Sequence, residues 1–204
     1  MNFLEDLHNI GIKPFLHHEG LLYKYFVISD ALKVISNHTL MFSNPLNFND
    51  PLELRQELIS TDCNLEEFKN WLEEQGVNDL KKQALIESYQ DNPEKVSCIL
   101  KEVVTKYKEL QGICCFSRNN RQPLMWSHYA DKHTGVCLGF RVSTDNLGFG
   151  FPVMKINYTK ELKPIKYFQF RELSLYNWIY TKAEYWSYEE EVRALSVNRN
   201  GILP

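Results

Sequence analysis

The chain has few features of secreted or membrane proteins. Its five cysteines, Cys63, Cys98, Cys114, Cys115 and Cys137, are odd in number and lack C-x-x-C spacing, so neither a disulfide framework nor a zinc ribbon is indicated. No stretch approaches ~18 uninterrupted apolar residues, and the N-terminus is acidic where a secretion signal would be basic. We therefore expect a cytoplasmic protein with no membrane partner.

Positive charge is not in excess either. The chain carries 23 Lys and Arg against 26 Asp and Glu, for a formal net charge of -3. This balance gives no general field for binding phosphate backbones, so a broad nucleic-acid patch is disfavoured. Internal repeats are absent from the sequence, and its 204 residues suit a single domain over 1–204 with a sizeable core.

The N-terminal part predicts a strand, a short helix and a second strand. Aromatic residues favour a strand over 21–26. Ser29 and Asp30 are typical N-cap residues for the helix that follows, and 39–43 returns to strand. The order of these elements, with later strands and helices, predicts an α+β fold.

A turn rich in Asn and Pro follows over 44–51. Such a rigid loop can present amides and a carboxylate to a ligand, or its Asn47 and Asp50 can cap their own backbone. Pro51 with Glu53 would then open a helix after Asp50. From Leu52 to about Leu110 the apolar residues follow a 3.6-residue period. We predict three helices there, as a mostly α-helical insert over 52–110.

The stretch Gly112–Phe140 predicts a strand ending at Phe116–Ser117, a helix opening at Pro123 and a strand after Gly135. Trp126, His128 and Tyr129 fall within one and a half turns of this helix. They form either an aromatic wall with a polar contact or simple core packing. Cys115 or Cys137 beside His128 could make a thiol nucleophile, although cysteines in apolar strands are usually inert.

The last informative segment, 191–197, alternates in polarity like a strand with one buried face. Glu189 and Glu191 would share a face of it. The alternative is an exposed edge strand on which these carboxylates pair with Lys182 and Arg193.

Several separated motifs, in order, resemble those of a bacterial family, the domain of unknown function 2971. The resemblance covers about residues 21 to 197. Its motifs are Tyr23-Lys24-Tyr25, Phe42-Ser43-Asn44-Pro45, Phe48-Asn49-Asp50-Pro51-Leu52-Glu53, Cys115-Phe116-Ser117, Met125-Trp126-Ser127-His128-Tyr129-Ala130 with His133 and Gly135, Gly139-Phe140, and Lys182 with Trp186, Tyr188, Glu189, Glu191 and Arg193.

A second resemblance, to ADP-ribosyltransferase folds, implies an activity. The opening strand, helix and strand are similar to those of that family, and Glu189-x-Glu191 resembles its E-x-E signature. The resemblance implies that Lys24 replaces a first-strand His or Arg, Tyr25 flanks it, and Ser43 is the second-strand hydroxyl. Glu191 would stabilise the positive charge that develops on the ribose of NAD, and Glu189 would orient the acceptor.

We therefore expect a fold like that of ADP-ribosyltransferases, with a small β-sheet core in two β pieces joined around the helical insert. The function expected is NAD-dependent transfer to a macromolecular acceptor, in a toxin or phage-defence setting. NAD is the expected nucleotide-type ligand and serves as a substrate. The residues expected to bind it are Lys24, Tyr25, Ser43, Asn49, Asp50, Trp126, His128 and Tyr129. The rivals are a non-catalytic module for a ligand or partner protein, and a hydrolase or nuclease using Asp50, His128 and Glu191. No metal ligand is expected.

Overall fold

The computed structural model describes residues 3–15, 20–48, 50, 53–141, 153–170 and 172–203. Asn49 lies outside these ranges. The helices in the described ranges are Phe3–Asn9 (α1), Ile28–Asn37 (α2), Leu65–Glu74 (α3), Asp79–Asp91 (α4), Pro93–Leu110 (α5), Pro123–Tyr129 (α6), Tyr167–Phe170 (α7) and Glu172–Tyr180 (α8).

The strands of the described ranges are mostly short. They are Lys13–Pro14 (β1), Leu21–Phe26 (β2), Leu40–Phe42 (β3), Ile59–Ser60 (β4), Gly112–Ser117 (β5), Val136–Arg141 (β6), Val153–Lys155 (β7), Asn157–Thr159 (β8), Ile165–Lys166 (β9), Thr181–Ala183 (β10), Glu191–Ser196 (β11) and Gly201–Leu203 (β12). This mixture of helices and largely antiparallel strands confirms the α+β class.

The described residues cluster into two compact units. The first unit comprises Met1–Glu53, Lys108–Leu162 and Tyr180–Pro204, and the second comprises Leu54–Tyr107 and Lys163–Ile179. The predicted helical insert therefore supplies most of the second unit, which also takes in the later helical segment. None of the helices in the described ranges is both long and apolar enough to cross a membrane.

The first unit is built on a six-stranded sheet in the order β1-β7-β11-β5-β2-β6, with antiparallel pairing throughout. Strand β11 lies inside this sheet, between β7 and β5, and all six of its residues are buried. The expectation of one buried face, and the alternative of an exposed edge strand, are both wrong. A strand with neighbours on both sides and covered faces keeps no residue in solvent.

The beginning of the chain follows the predicted order, with one correction. Helix α2 starts at Ile28, so Val27 is its N-cap residue and no side chain caps it. Ser29 and Asp30 lie inside the first turn, where an acidic side chain such as Asp30 still favours the helix dipole. Ser43 follows β3 and exchanges two backbone hydrogen bonds of 2.9 Å with Ile113 of β5.

The described residues after Asp50, from Glu53 to Asn64, contain no α-helix, which contradicts the predicted helix start. The chain instead passes through a 3-10 turn at Gln56–Leu58 and strand β4, and α3 begins only at Leu65. Asn64 caps α3 in a reciprocal capping box with Glu67, which provides the start signal that we assigned to Asp50 and Glu53.

The second unit has its own apolar core. Phe68 and Leu72 of α3 pack there with Val96 and Leu100 of α5, as the helical period predicts. Leu80 breaks the pattern: it is 86% exposed. Two short strands, β4 and β9, pair in parallel within this unit.

Candidate functional site

A cavity of about 400 Å³ lies within the first unit. Its volume is in the range of small-molecule sites. Its wall combines side chains from β2, β5, α6, β10 and β11 with the loop after β3. The Asn-Pro loop, helix α6 and strand β11 thus contribute residues to one cavity.

Lys182 is the central cation of this cavity. It lies on β10, which pairs in parallel with β8, and its residue is only 5% exposed. Its Nζ donates hydrogen bonds to Oε2 of Glu189 at 2.6 Å and to Oε2 of Glu191 at 3.0 Å. A third carboxylate, that of Glu53, lies 3.6 Å away. One ammonium group is therefore shared by three buried carboxylates.

Arg193 supplies the second cation. Its Nε lies 2.7 Å from Oε1 of Glu191, and its Nη2 lies 3.1 Å from Oε2 of the same carboxylate. Arg193 also forms an ion pair with Glu53. The planar guanidinium group suits such a two-point contact, so the carboxylate of Glu191 is held in one orientation.

The backbone at the start of β11 differs from the extended E-x-E expected from the sequence. Glu189 is not on the strand, because it ends a 3-10 helix, Glu184–Glu189. Glu190 follows in the left-handed region, with φ 44° and ψ 47°, and Glu191 opens the strand. Nevertheless Glu189 and Glu191 both reach the cavity.

Two tyrosines fix this carboxylate region further. The hydroxyl of Tyr129 donates to Oε1 of Glu189 at 2.9 Å. The hydroxyl of Tyr158 accepts a 2.8 Å hydrogen bond from the backbone N–H of Glu191. Since Tyr129 lies at the end of α6, this helix is linked directly to the Glu189 carboxylate.

Burial and charge act against each other in this cluster. Burial raises the pKa of Glu191; the positive charge of Lys182 opposes the rise and the negative charge of Glu189 adds to it. Burial by itself would lower the pKa of Lys182, but the carboxylates of Glu191 and Glu189 outweigh burial, and the pKa is raised above its ordinary value. Lys182 therefore remains an ammonium group.

Burial and neighbouring charge also oppose each other at Arg193. Burial lowers its pKa, and the carboxylate of Asp50 opposes that effect. Asp50 is itself buried, at 6% exposure, and it is not among the residues that line the cavity. Its negative charge therefore compensates the positive charge of Arg193 from outside the cavity lining.

The residues predicted on the first two strands lie at the cavity wall. Lys24, Tyr25 and Ser43 all line it. The ammonium of Lys24 donates a 2.8 Å hydrogen bond to the backbone oxygen of Cys115. The hydroxyl of Tyr25 donates to the backbone oxygen of Asn119 at 2.6 Å, and burial raises the pKa of Tyr25 to about 12.

The residues predicted on helix α6 divide into two groups. His128 and Tyr129 line the cavity, but Trp126 is not among the lining residues. The ring of Trp126 meets the ring of Tyr25 edge to face, with centroids 5.4 Å apart, and its Nε1 donates to the backbone oxygen of Asn120 at 2.9 Å. Trp126 supports a wall residue instead of forming the wall.

Neither Cys115 nor Cys137 provides an activated thiol. Burial raises the pKa of Cys115 well above its ordinary value, and burial raises that of Cys137 to about 11. A thiol with a raised pKa is a poor nucleophile at neutral pH. The sequence hypothesis of a thiol paired with His128 is therefore disfavoured.

Sequence reasoning missed Glu53 as a member of the site, and treated Lys182 and Arg193 only as surface partners. All three line the cavity with side chains no more than 5% exposed. The signal for the two cations was present in the family motif, which places Lys182 and Arg193 around the glutamates. Glu53 ends another motif of the same series, but its position after Pro51 also fits a capping pattern, which hides its place in the cavity.

Comparisons with known proteins give one match. Residues 125–194 match a family model described as Protein of unknown function (DUF2971). The resemblance to this family, stated from the sequence motifs, is therefore confirmed over a segment that includes most of α6, Lys182, Glu189 and Glu191. No curated protein and no solved structure matches the chain.

Proposed function

We propose that this protein is an NAD-dependent, ADP-ribosyltransferase-like enzyme. The observation that carries the proposal is the meeting of Lys24, Ser43 and Glu191, from three separate parts of the chain, around one cavity. These are the positions that the resemblance assigns to NAD binding and charge stabilisation. Had they been far apart, the assignment would have had no basis.

The chemistry requires a fixed carboxylate. Cleavage of the bond between ribose C1′ and the nicotinamide nitrogen sends the bonding electrons to nicotinamide, which leaves neutral, and develops positive charge on the ribose. Glu191, oriented by Arg193 and Lys182, would stabilise that charge in a site of low dielectric. Glu189, held by Tyr129 and Lys182, would orient the acceptor that attacks C1′.

Lys24 departs from the ADP-ribosyltransferase pattern, which has a His or Arg at this place on the first strand. One of its three N–H donors binds the backbone carbonyl of Cys115, which fixes the ammonium group at the cavity wall. The remaining donors suit a phosphate or ribose oxygen as a point charge, without the two-point geometry of arginine. We expect NAD to bind more weakly than in a site built on arginine.

The acceptor and setting follow from the resemblance. We propose a macromolecular acceptor, a cytoplasmic location and a role as a toxin or phage-defence effector.

A second candidate function is a non-catalytic module that binds a nucleotide-type ligand or a partner protein. It is favoured by one observation: both oxygens of the Glu191 carboxylate are already bonded to Lys182 or Arg193. A carboxylate so compensated has less negative charge to offer a transition state, although it can still shape a binding pocket.

The hydrolase or nuclease hypothesis has less support. His128 and Glu191 line the cavity, whereas Asp50 does not. Among the described residues no group of three or more His, Cys, Asp or Glu side chains could hold a metal ion.

Labelled NAD tests the proposal. The protein is incubated with NAD labelled in its adenylate part, with a bacterial lysate as the source of acceptors, and transfer of label to macromolecules is measured. We expect label transfer by the wild-type protein and none by Glu191→Gln. The control variant Glu184→Gln, which changes an exposed glutamate at the start of the 3-10 helix before β11, should transfer label like the wild type. Stabilisation by NAD in a thermal shift assay, without transfer or nicotinamide release, would favour the binding module.

A further inference from the structure

Glu190 has a backbone conformation that its residue type disfavours. Its φ of 44° and ψ of 47° are left-handed, and the side-chain Cβ makes this region unfavourable for all residues except glycine and, to a lesser degree, Asn and Asp. Glu190 separates the two carboxylates of the site. A conformation of this kind persists only where the surroundings impose it.

The surroundings of Glu190 hold both its backbone and its side chain. The turn after β5 provides the contacts: the backbone N–H of Arg118 donates to the Glu190 carbonyl at 3.1 Å, and the side-chain amide of Asn119 donates to Oε1 of Glu190 at 3.0 Å. Arg118 adds an ion pair of 3.5 Å. Ser117 Oγ donates to the preceding carbonyl, that of Glu189, at 2.6 Å.

The consequence is visible at Lys182. Successive residues of an extended strand rise by about 3.3 Å each, so two glutamates at i and i+2 point in the same direction along parallel paths. Here the left-handed residue between them ends the 3-10 helix and starts the strand. The carboxylates of Glu189 and Glu191 consequently converge on one ammonium nitrogen, at 2.6 and 3.0 Å.

We propose that Glu190 is a positioning residue, which directs Glu189 into the cavity by fixing the left-handed turn against Asn119. The three consecutive glutamates then have three roles: Glu189 and Glu191 face the cavity, and Glu190 faces the turn after β5. Its relevance to catalysis rests on the proposed transferase function, but the positioning itself can be measured without any activity.

The use of glutamate instead of glycine at this position supports the inference. Glycine would adopt the turn at lower cost but would leave it free to move. Glutamate accepts the turn with a penalty and gains the contact to Asn119, which an alanine could not make. The side chain of Glu190 is 39% exposed, so it adds no core packing that would explain its presence.

The reactivity of Lys182 reports whether Glu189 is in place. Wild-type Lys182 is buried, with its pKa raised by two carboxylates, so acylation of its amine is slow. If Glu189 turns away, the pKa of Lys182 falls, and each unit of fall increases the free amine about tenfold. The experiment measures acylation of Lys182 by mass spectrometry, relative to the exposed Lys106, in folded protein.

We expect faster acylation of Lys182 in Glu190→Ala and in Asn119→Ala, and wild-type rates in Glu190→Gln, whose amide oxygen still accepts from Asn119. Asn120→Ala is the matched control, because its contact to Trp126 uses the backbone oxygen. Should Glu190→Ala fail to fold, Asn119→Ala decides alone. Wild-type acylation in folded Asn119→Ala would overturn the inference.

The two proposals fail separately. Faster acylation in the variants, together with no nicotinamide release by the wild-type protein, would keep the positioning role and remove the transferase function. Nicotinamide release by the wild-type protein, with unchanged acylation of Lys182 in the variants, would keep the transferase function and remove the positioning role.

Discussion

The guanidinium group of Arg193 binds both carboxylate oxygens of Glu191, two residues earlier on the same strand, at 2.7 and 3.1 Å. The period of two in a strand puts both side chains on one face. Their side chains are 0% and 4% exposed, so the ion pair is shielded from solvent. Two charges at such a site require further partners, which Lys182 and Glu53 provide.

Removal of the shared cation should be costly. In Lys182→Met the carboxylates of Glu189, Glu191 and Glu53 lose a partner while remaining buried. We expect a loss of about 3–5 kcal/mol in the free energy of unfolding, measured by urea denaturation. Lys106→Met, on the exposed side of α5, should stay within about 0.5 kcal/mol of the wild type. Equal stability of the two variants would contradict the account of the cluster.

The same variant should have a distinctive pH dependence. Because the folded-state pKa of Lys182 is raised, its stabilisation is fully present below the pKa of the unfolded chain, about 10.4, and is lost as pH rises through the higher folded value. Above pH 10.4 the wild type should therefore lose stability more steeply than Lys182→Met. A parallel loss in both proteins would show that Lys182 has no raised pKa.

Tyr25 should ionise late. Burial raises its pKa to about 12, so the neutral phenol stabilises the folded state, and that contribution falls as pH rises from the unfolded value of about 10 toward the folded one. Absorbance titration of the phenolates should show one high-pKa tyrosine fewer in folded Tyr25→Phe than in the wild type. The same number of late-titrating tyrosines in both proteins would contradict the assignment.

The hydrogen bond from Tyr129 to Glu189 should affect turnover more than folding. Tyr129→Phe keeps the ring at the cavity wall and removes one charge-assisted hydrogen bond, at a cost of about 1.5–3 kcal/mol in stability. We expect a fall in kcat for NAD, with KM changed little, because the bond orients a carboxylate that acts in the transition state. A rise in KM with unchanged kcat would assign Tyr129 to ligand binding alone.

The order of elements could be predicted from the sequence because it rests on local patterns. Strand β2, strand β5, the opening of α6 at Pro123 and the strand after Gly135 all have the predicted places. The spacing of apolar residues, the turn residues and the position of proline specify these elements, and each of these signals is contained in a short segment of the chain. The spacing of Glu189 and Glu191 predicts that both belong to one site, but their convergence on Lys182 depends on the left-handed turn between them.

The rest depends on contacts between distant residues. Glu53 reaches Arg193 across most of the chain, and no local pattern distinguishes that carboxylate from a helix cap. The left-handed turn at Glu190 is imposed by Arg118 and Asn119, against the preference of its own residue type. The burial of both faces of β11 depends on residues outside the strand, most of them far away in the chain. Val192 and Ala194 pack in an apolar cluster with Phe116, whereas Glu191 and Arg193 pair with Lys182 and Glu53.

Release of free nicotinamide from NAD tests the central claim most directly, because water can replace an unknown acceptor. The rate is measured by chromatography for the wild type, Glu191→Gln and Glu184→Gln at equal concentration. We predict release by the wild type and by Glu184→Gln, and a rate at background for Glu191→Gln, which keeps the shape of the side chain but loses its charge. Release at the same rate by all three proteins, or by none of them, would contradict the account.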